Sequence, residues 1–575
     1  MKKIFGYLIP FRGRIALGLT IKFTGTIMDL LLPWILSYMI DTIVPRKSIA
    51  QIILWGVIMA ICAVIALVTN VIANRMASRV AQRCTQAVRH DLFSRISYLS
   101  CSQIDKFTIP SLESRLTTDT YNIHQMVGMM QRLGVRAPIL LLGGVILTLM
   151  LEPVLATVMI CTLPLLGAVV FTVSKRGIPL YSSLQRGIDR MVRTVRENIT
   201  GIRVIKALSK TEYEKGRFKE VNSEVVRREK KAGITMALTN PSMNLFLNLG
   251  LAVVILVGAV RVNAGLTQPG KILAFLTYFT IILNALLSIT RIFVMISKAT
   301  ASAERIREVL DEPDDLTLSP DNSSTDKSHI AFKNVCFAYG KGKTALDNIN
   351  FELMRGQTLG ILGATGSGKS TIISLLMRLY DATSGKILID GVDVKAIEPK
   401  ELNTKFGVVF QNDFLFADSI RQNIDFGRGL SDEQIQKAAA CAQAMEFIKS
   451  LDDGFEHQLS AKGTNLSGGQ KQRILIARAL ASTPEILVLD DSSSALDYKT
   501  DSKLRKALRE HYKDTTTIIV AQRISSIKHC DHILVLDDGK EIGYGTHQQL
   551  LQSCEVYNQI SQSQMGGGVN VATRT

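Results

Sequence analysis

Residues 358–379 decide the reading of this chain. The apolar run Thr358-Leu359-Gly360-Ile361-Leu362 leads into Gly363-Ala364-Thr365-Gly366-Ser367-Gly368-Lys369-Ser370, and a helical run, Thr371 to Leu379, follows. Glycines at this spacing let backbone N–H groups turn inward around phosphate oxygens, and the next helix adds the positive end of its dipole. Lys369 brings a point charge for β- and γ-phosphates, and Ser370 a hydroxyl for Mg²⁺. Between a strand and a helix, this pattern predicts a phosphate-cradling loop made by residues 363–371.

Outward from that loop, short β-type runs alternate with helical stretches at 330–337, 386–389, 406–410, 486–489, 517–520 and 532–536. The alternation predicts an α/β domain with a largely parallel core sheet. The run Ile486-Leu487-Val488-Leu489-Asp490 is an apolar strand ending in a carboxylate suited to Mg²⁺. Leu466-Ser467-Gly468-Gly469-Gln470 is a glycine turn feeding a second helix, and so a second anion site.

Upstream the chemistry changes. Hydrophobic residues make up 47% of the 575 positions and charged residues 20%, which excludes disorder and suits a membrane part joined to a soluble part. Six apolar runs, at about 14–44, 51–74, 133–151, 153–174, 243–262 and 270–297, can span ~30 Å of hydrocarbon. Two long connections, 75–132 and 175–242, are rich in Arg and Lys, which places them and both termini in the cytoplasm. They keep helical spacing, so the membrane helices are expected to run on as cytoplasmic hairpins turning near Thr108-Ile109-Pro110 and Ser209-Lys210-Thr211. Residues 1–12 suit a short helix in the membrane interface. The net charge of +17 fits loops facing anionic lipid, and no basic stretch interleaved with aromatics supports nucleic-acid binding. None of the eight cysteines has metal or CxxC spacing, and no removable signal peptide is read. The expected organisation is a transmembrane domain (1–311), a linker (312–328), a nucleotide domain (329–565) and a disordered tail (566–575).

Leu466-Ser467-Gly468-Gly469-Gln470 resembles the signature motif of ATP-binding cassette (ABC) transporters, and other segments resemble that family in order. Tyr339 resembles the aromatic that stacks on adenine. Gln411 resembles the Q-loop glutamine, which also meets the metal, and Ser494-Ala495-Leu496-Asp497 the D-loop. Residues 197–207 resemble the second intracellular loop of exporters. The resemblance implies six membrane helices with long cytoplasmic extensions plus an α/β P-loop nucleotide-binding domain. It implies ATP and Mg²⁺ as cofactors. ATP would be held by Tyr339, the loop residues Gly363, Thr365, Gly366, Ser367, Gly368, Lys369, Ser370 and Thr371, and a partner's signature. The metal would be held by Ser370, Gln411 and Asp490. A chain with one set of each part is expected to dimerise head to tail, each ATP lying between one P-loop and the other chain's Ser467, Gly468, Gly469 and Gln470.

Two catalytic positions depart from the family pattern. Asp491 stands where the family carries the glutamate that polarises the attacking water, and Gln522 stands where it carries a switch histidine. The shorter carboxylate is withdrawn by more than ~1 Å, and an amide cannot become a cation. The expectation is a heterodimeric ABC exporter of amphiphilic small molecules, lipids or peptides in a bacterial cytoplasmic membrane. This chain would contribute a slow ATP site, with Asp491, Gln522 and Gln411 as its catalytic residues. A homodimer with two slow sites and an ATP-sensing regulatory subunit are the alternatives. In the first membrane helix, Lys22 and Asp29 lie about two turns apart. They are read either as a substrate-facing pair or as interhelical partners.

Overall fold

Glu152 and Pro153 make a tight turn between two long helices of the membrane half. One helix ends at Leu151, Glu152 is extended, and Pro153 opens the next helix, where its missing N–H costs nothing. The computed structural model describes residues 2–319, 327–340, 342–492 and 496–565. The expected tail and much of the expected linker lie outside the described residues. The chain divides into two units, Met1–Ser97 with Pro110–Glu312, and Tyr98–Ile109 with Pro313–Thr575.

Among the described residues of the first unit, six helices are long and apolar enough to cross a membrane: Lys3–Arg46, Ile49–Ser97, Ile109–Leu151, Pro153–Thr200, Thr211–Asn263 and Pro269–Leu310. Each contains one expected apolar run and extends beyond it as expected. Small residues allow close crossings. Gly144 faces Ile282, and Gly250 faces Phe279. Tyr278, fully buried, donates to the Leu30 carbonyl at 2.7 Å. At the 152–153 turn the buried Glu152 pairs with Arg261 at 3.0 Å. Lys22 and Asp29 do not pair with each other. Lys22 donates to Asn70 (2.8 Å) and Asn74 (3.1 Å), while Asp29 accepts from Arg136 (3.1 Å) and Asn70 (3.4 Å). Both are interhelical partners here, because buried charge in hydrocarbon demands polar company. The second hairpin breaks at Gly201 and again at Ser209, which takes φ 52° before the helix restarting at Thr211.

In the second unit, the tip of the first hairpin packs with the nucleotide domain rather than with the membrane helices. The helix Cys101–Phe107 begins with a capping box, Ser100 and Gln103, and ends at Thr108, which has φ 64°. Asp105 accepts from Tyr380 Oη at 2.7 Å, Gln103 donates to the Pro313 carbonyl at 2.5 Å, and Ser100 donates to Asp315 at 2.7 Å.

Ten strands follow: β1 (Ile330–Ala338), β2 (Thr344–Leu353), β3 (Thr358–Gly363), β4 (Ser384–Ile389), β5 (Val392–Asp393), β6 (Phe406–Val409), β7 (Ile486–Asp490), β8 (Thr516–Val520), β9 (His532–Asp537) and β10 (Lys540–Gly545). Their order is β5-β4-β1-β2-β10-β9-β3-β8-β7-β6. The core β9-β3-β8-β7-β6 is parallel. β7 is buried along its whole length, as a strand covered by helices on both faces must be. The β1–β2, β1–β4, β4–β5 and β9–β10 pairings are antiparallel, and β10 meets β2 in parallel. Of these, β2, β5 and β10 escape the sequence reading. β2 interrupts its apolar alternation with Asp347, Asn348 and Asn350, β10 contains two glycines, and β5 is two residues long.

Candidate nucleotide-binding site

The loop after β3 is shaped by two backbone positions. Gly366 has φ 85° and Gly368 φ 97°, both left-handed, and a Cβ on Gly368 would lie 2.5 Å from a Leu346 methyl. The helix Lys369–Leu376 starts directly behind, held by buried Ile372, Ile373, Leu375 and Leu376. This places the helix N-terminus, the loop amides and the first two helical side chains around one concavity. Lys369 Nζ donates to the carbonyls of Gly363 (2.8 Å) and Ala364 (2.7 Å), folding its ammonium over the loop. Ser370 Oγ donates to Asp490 Oδ2 at 2.8 Å, joining the loop to the end of β7.

A cavity of about 310 Å³ opens here. It brings together Tyr339, Thr365, Gly366, Gly368, Lys369, Ser370, Thr371, Gln411, Asp490, Asp491 and Gln522 from the sequence-derived set. Ala345, Val520 and Ala521, which no motif flags, complete its wall. Tyr339 donates to Thr371 Oγ1 at 3.2 Å and stands edge-on to Tyr380 with ring centres 5.2 Å apart. Tyr380 is missed by sequence reasoning because its partners come from distant segments. The signature residues Ser467, Gly468, Gly469 and Gln470 do not line this cavity. They open the helix Gly468–Leu480, where Ser467 Oγ accepts from Gln470 N at 3.3 Å and Gln470 Oε1 accepts from Ser467 N at 2.9 Å. Of the D-loop, Ser494 and Ala495 lie outside the described residues.

The electrostatics suit an anion with a cation beside it. Burial lowers the Lys369 ammonium from its usual range, and Asp490 and Asp491 pull it back up. Burial raises the Asp490 carboxyl; the Ser370 hydroxyl opposes this, Asp491 adds to it, and Lys369 opposes it. Asp491 itself has φ 49°, and its N–H is tied to the Val520 carbonyl at 3.0 Å. Ser367 Oγ is enclosed and has no hydrogen-bond partner among the described residues, a polar atom that a phosphate oxygen would satisfy. The Ser370 hydroxyl and the Asp490 carboxylate form a hard-oxygen set that fits Mg²⁺.

Known proteins agree with this geometry. Residues 15–286 match the ABC transporter transmembrane region and residues 346–494 match the ABC transporter family. The uncharacterized ABC transporter ATP-binding protein YfiB of Bacillus subtilis is 34% identical over 568 residues, covering 98% of this chain and 99% of that protein. The uncharacterized ABC transporter ATP-binding protein Rv1273c of Mycobacterium tuberculosis is 33% identical over 571 residues, with 96% of each chain covered. A solved bacterial Atm1-family ABC exporter with ATP bound superposes with a TM-score of 0.82 at 25% identity, covering 97% of this chain and 99% of that one. A phosphate-cradling cavity in an α/β domain, carried on the same chain as six membrane-length helices and matched along nearly its whole length by such relatives, places this chain in the ABC transporter family as a multi-pass membrane protein of exporter fold that binds ATP and couples its hydrolysis to transport.

Proposed function

We propose that this chain is one half of a heterodimeric exporter of amphiphilic small molecules, lipids or peptides, and that it contributes the slow ATP site. The observation that carries this reading is the position of Asp491 and Gln522. Both altered residues line the same cavity as Lys369 and Ser370, on the wall built by the ends of β7 and β8. The cradle that binds phosphate is intact, while the wall that would act on the attacking water is changed.

The residues divide the work as follows. Tyr339 offers a ring face for the base, and the amides of residues 364–370 with Lys369 hold the phosphates. Ser370, Asp490 and Gln411 would hold Mg²⁺, which when bound neutralises phosphate charge. Asp491 accepts a hydrogen bond from water at the γ-phosphorus, and Gln522 donates to a γ-oxygen. Withdrawal of the carboxylate by one methylene, more than ~1 Å, slows the step by roughly 10²-fold. Ser467, Gly468 and Gly469 present a helix N-terminus outside this chain's own cavity, suited to closing a partner's site. Relatives from Bacillus and Mycobacterium support a bacterial cytoplasmic membrane.

The experiment is affinity purification of the tagged chain from its native membrane, with intact-mass analysis of what accompanies it. A second ABC half-transporter at equal stoichiometry is the expected result. Self-association alone refutes the heterodimer and leaves the homodimer with two slow sites.

A further inference from the structure

A second cavity, about 680 Å³, shares Asp491, Ala521 and Gln522 with the nucleotide cavity. It lies between the helix Tyr498–His511 and the segment around the short helix Ile524–Ile527. Its charges do not cancel. Arg505 is bound to Asp501 at 2.6 Å and to the Ser525 and Ser526 carbonyls at 3.2 and 2.7 Å, and Lys506 lies 3.9 Å from Glu510. Arg509, Arg523 and Lys528 also line the cavity, and none of their side chains has a hydrogen bond or ion pair among the described residues. The imidazole of His529, on the same wall, is pushed below its ordinary range. Burial is the largest cause, and Lys528, Arg509 and Arg505 act in the same direction. Two guanidinium forks and an ammonium form a donor set matched to a small multivalent oxyanion.

We propose that this second cavity is a binding site for inorganic phosphate, entered from the nucleotide cavity past Asp491 and Gln522. The proposal rests on the reading of the smaller cavity as an ATP site. Hydrolysis adds water to the γ-phosphorus, breaks its bond to the ADP oxygen and yields ADP, hydrogen phosphate and a proton. In a head-to-tail sandwich the partner's signature covers the γ-phosphate from the front. The wall shared with the basic cavity is then a lateral way out. The same cations would also take phosphate from solution, so the phosphate has two sources.

The test uses the full chain in lipid nanodiscs with the nucleotide cavity filled by Mg²⁺ and AMP-PNP, a non-hydrolysable ATP analogue that occupies the γ-position. Equilibrium binding of radiolabelled orthophosphate should then show an additional bound phosphate. Its affinity should fall at least about tenfold in Arg509→Gln/Lys528→Gln, with AMP-PNP affinity unchanged. Absence of that phosphate, or equal affinity in the variant, overturns the site. Failure of AMP-PNP to bind would instead overturn the reading of the smaller cavity. The source is decided in the same nanodiscs, with this chain alone and carrying Asp491→Glu so that cleavage does not limit, by comparing acid-quench bond cleavage with phosphate release, detected by a fluorescent phosphate sensor. If cleaved γ-phosphate passes through the cavity, release lags further behind cleavage in the variant. If only free phosphate binds there, the timing is unchanged and the exit role falls.

Discussion

Replacing Asp491 by Glu tests the account of the slow site most directly. The backbone at this residue is fixed: φ is 49°, the N–H is bonded to the Val520 carbonyl at 3.0 Å, and the neighbouring Asp490 is buried and bonded to Ser370 at 2.8 Å. Reach must therefore come from the side chain. One added methylene advances the carboxylate by more than ~1 Å into the cavity, recovering roughly 10²-fold, or about 2.7 kcal/mol of barrier. Bulk turnover would be dominated by a competent partner, so the assay must read this chain alone. Photolabelling the assembled pair with 8-azido-ATP, labelled at the α- or γ-phosphorus, does so. Once this chain is resolved by mass, the γ-label decays at the rate of hydrolysis in its own cavity, while the α-label reports occupancy. The wild-type γ-label should outlast many turnovers of the pair, and Asp491→Glu should shorten its lifetime about a hundredfold at equal α-label. A wild-type γ-label lost at the turnover rate of the pair would refute the reasoning, as would a lifetime indifferent to the substitution.

Gly368→Ala should abolish ATP binding in an equilibrium nucleotide-binding assay, because it places a side chain at φ 97° and a Cβ 2.5 Å from Leu346. Tyr380→Phe keeps the rings near Tyr339 but removes the 2.7 Å bond to Asp105, a loss of about 1 kcal/mol. Limited proteolysis should then cut the 98–109 tip several-fold faster, whereas Asp105→Asn, which keeps an acceptor oxygen, should stay close to wild type. His329 predicts acid sensitivity in the nucleotide domain. It is buried, its Nδ1 lies 2.6 Å from Thr516 Oγ1, and its Nε2 faces Asp390 and Glu485, which Arg355 and Lys405 already pair. Burial lowers its pKa from 6.5; Asp390 and Glu485 raise it, and Arg355 and Lys405 lower it. The unfolded chain therefore binds the proton more readily. The contribution to stability is complete above about pH 6.5 and is lost as pH falls below it. Thermal melts between pH 7.5 and 5.5 should show this slope, and His329→Gln should flatten it.

What the sequence made legible was local. The cradle from Gly363 to Thr371 depends on backbone conformations that only its own glycines permit, so spacing alone foretold it. The six membrane helices were visible because hydrocarbon requires long apolar runs, and the 152–153 turn because Glu152 and Pro153 interrupt such a run where proline suits the first position of a new helix. Less visible was anything made by residues far apart. Tyr380 meets Asp105 across 275 positions, and the side-chain amide of Gln564 reaches back to the Gln522 carbonyl at 2.9 Å. Neither pairing has a period or a motif. The roles of Lys22 and Asp29 stayed open for the same reason, since Asn70, Asn74 and Arg136 lie on other helices and decide the outcome.

On the proposed slow-site reading, the placement of Asp491 and Gln522 would let a site stop turning over without ceasing to bind. The cradle is made by β3 and its helix, and the wall by the ends of β7 and β8. Those two strands pair in parallel with Asp490 opposite Val520, so Asp491 leaves the sheet level with Ala521, and Gln522 follows one residue on. A change at either position alters the chemistry presented to a γ-phosphate. It leaves untouched the loop carbonyls under Lys369 and the bond from Ser370 to Asp490. Both side chains also lie beyond the buried strand cores. On the proposed reading, the phosphate cradle of β3 and its helix is then kept apart from Asp491 and Gln522 at the ends of β7 and β8. A heterodimer can keep ATP in one site as a structural element of the sandwich while the other site turns over.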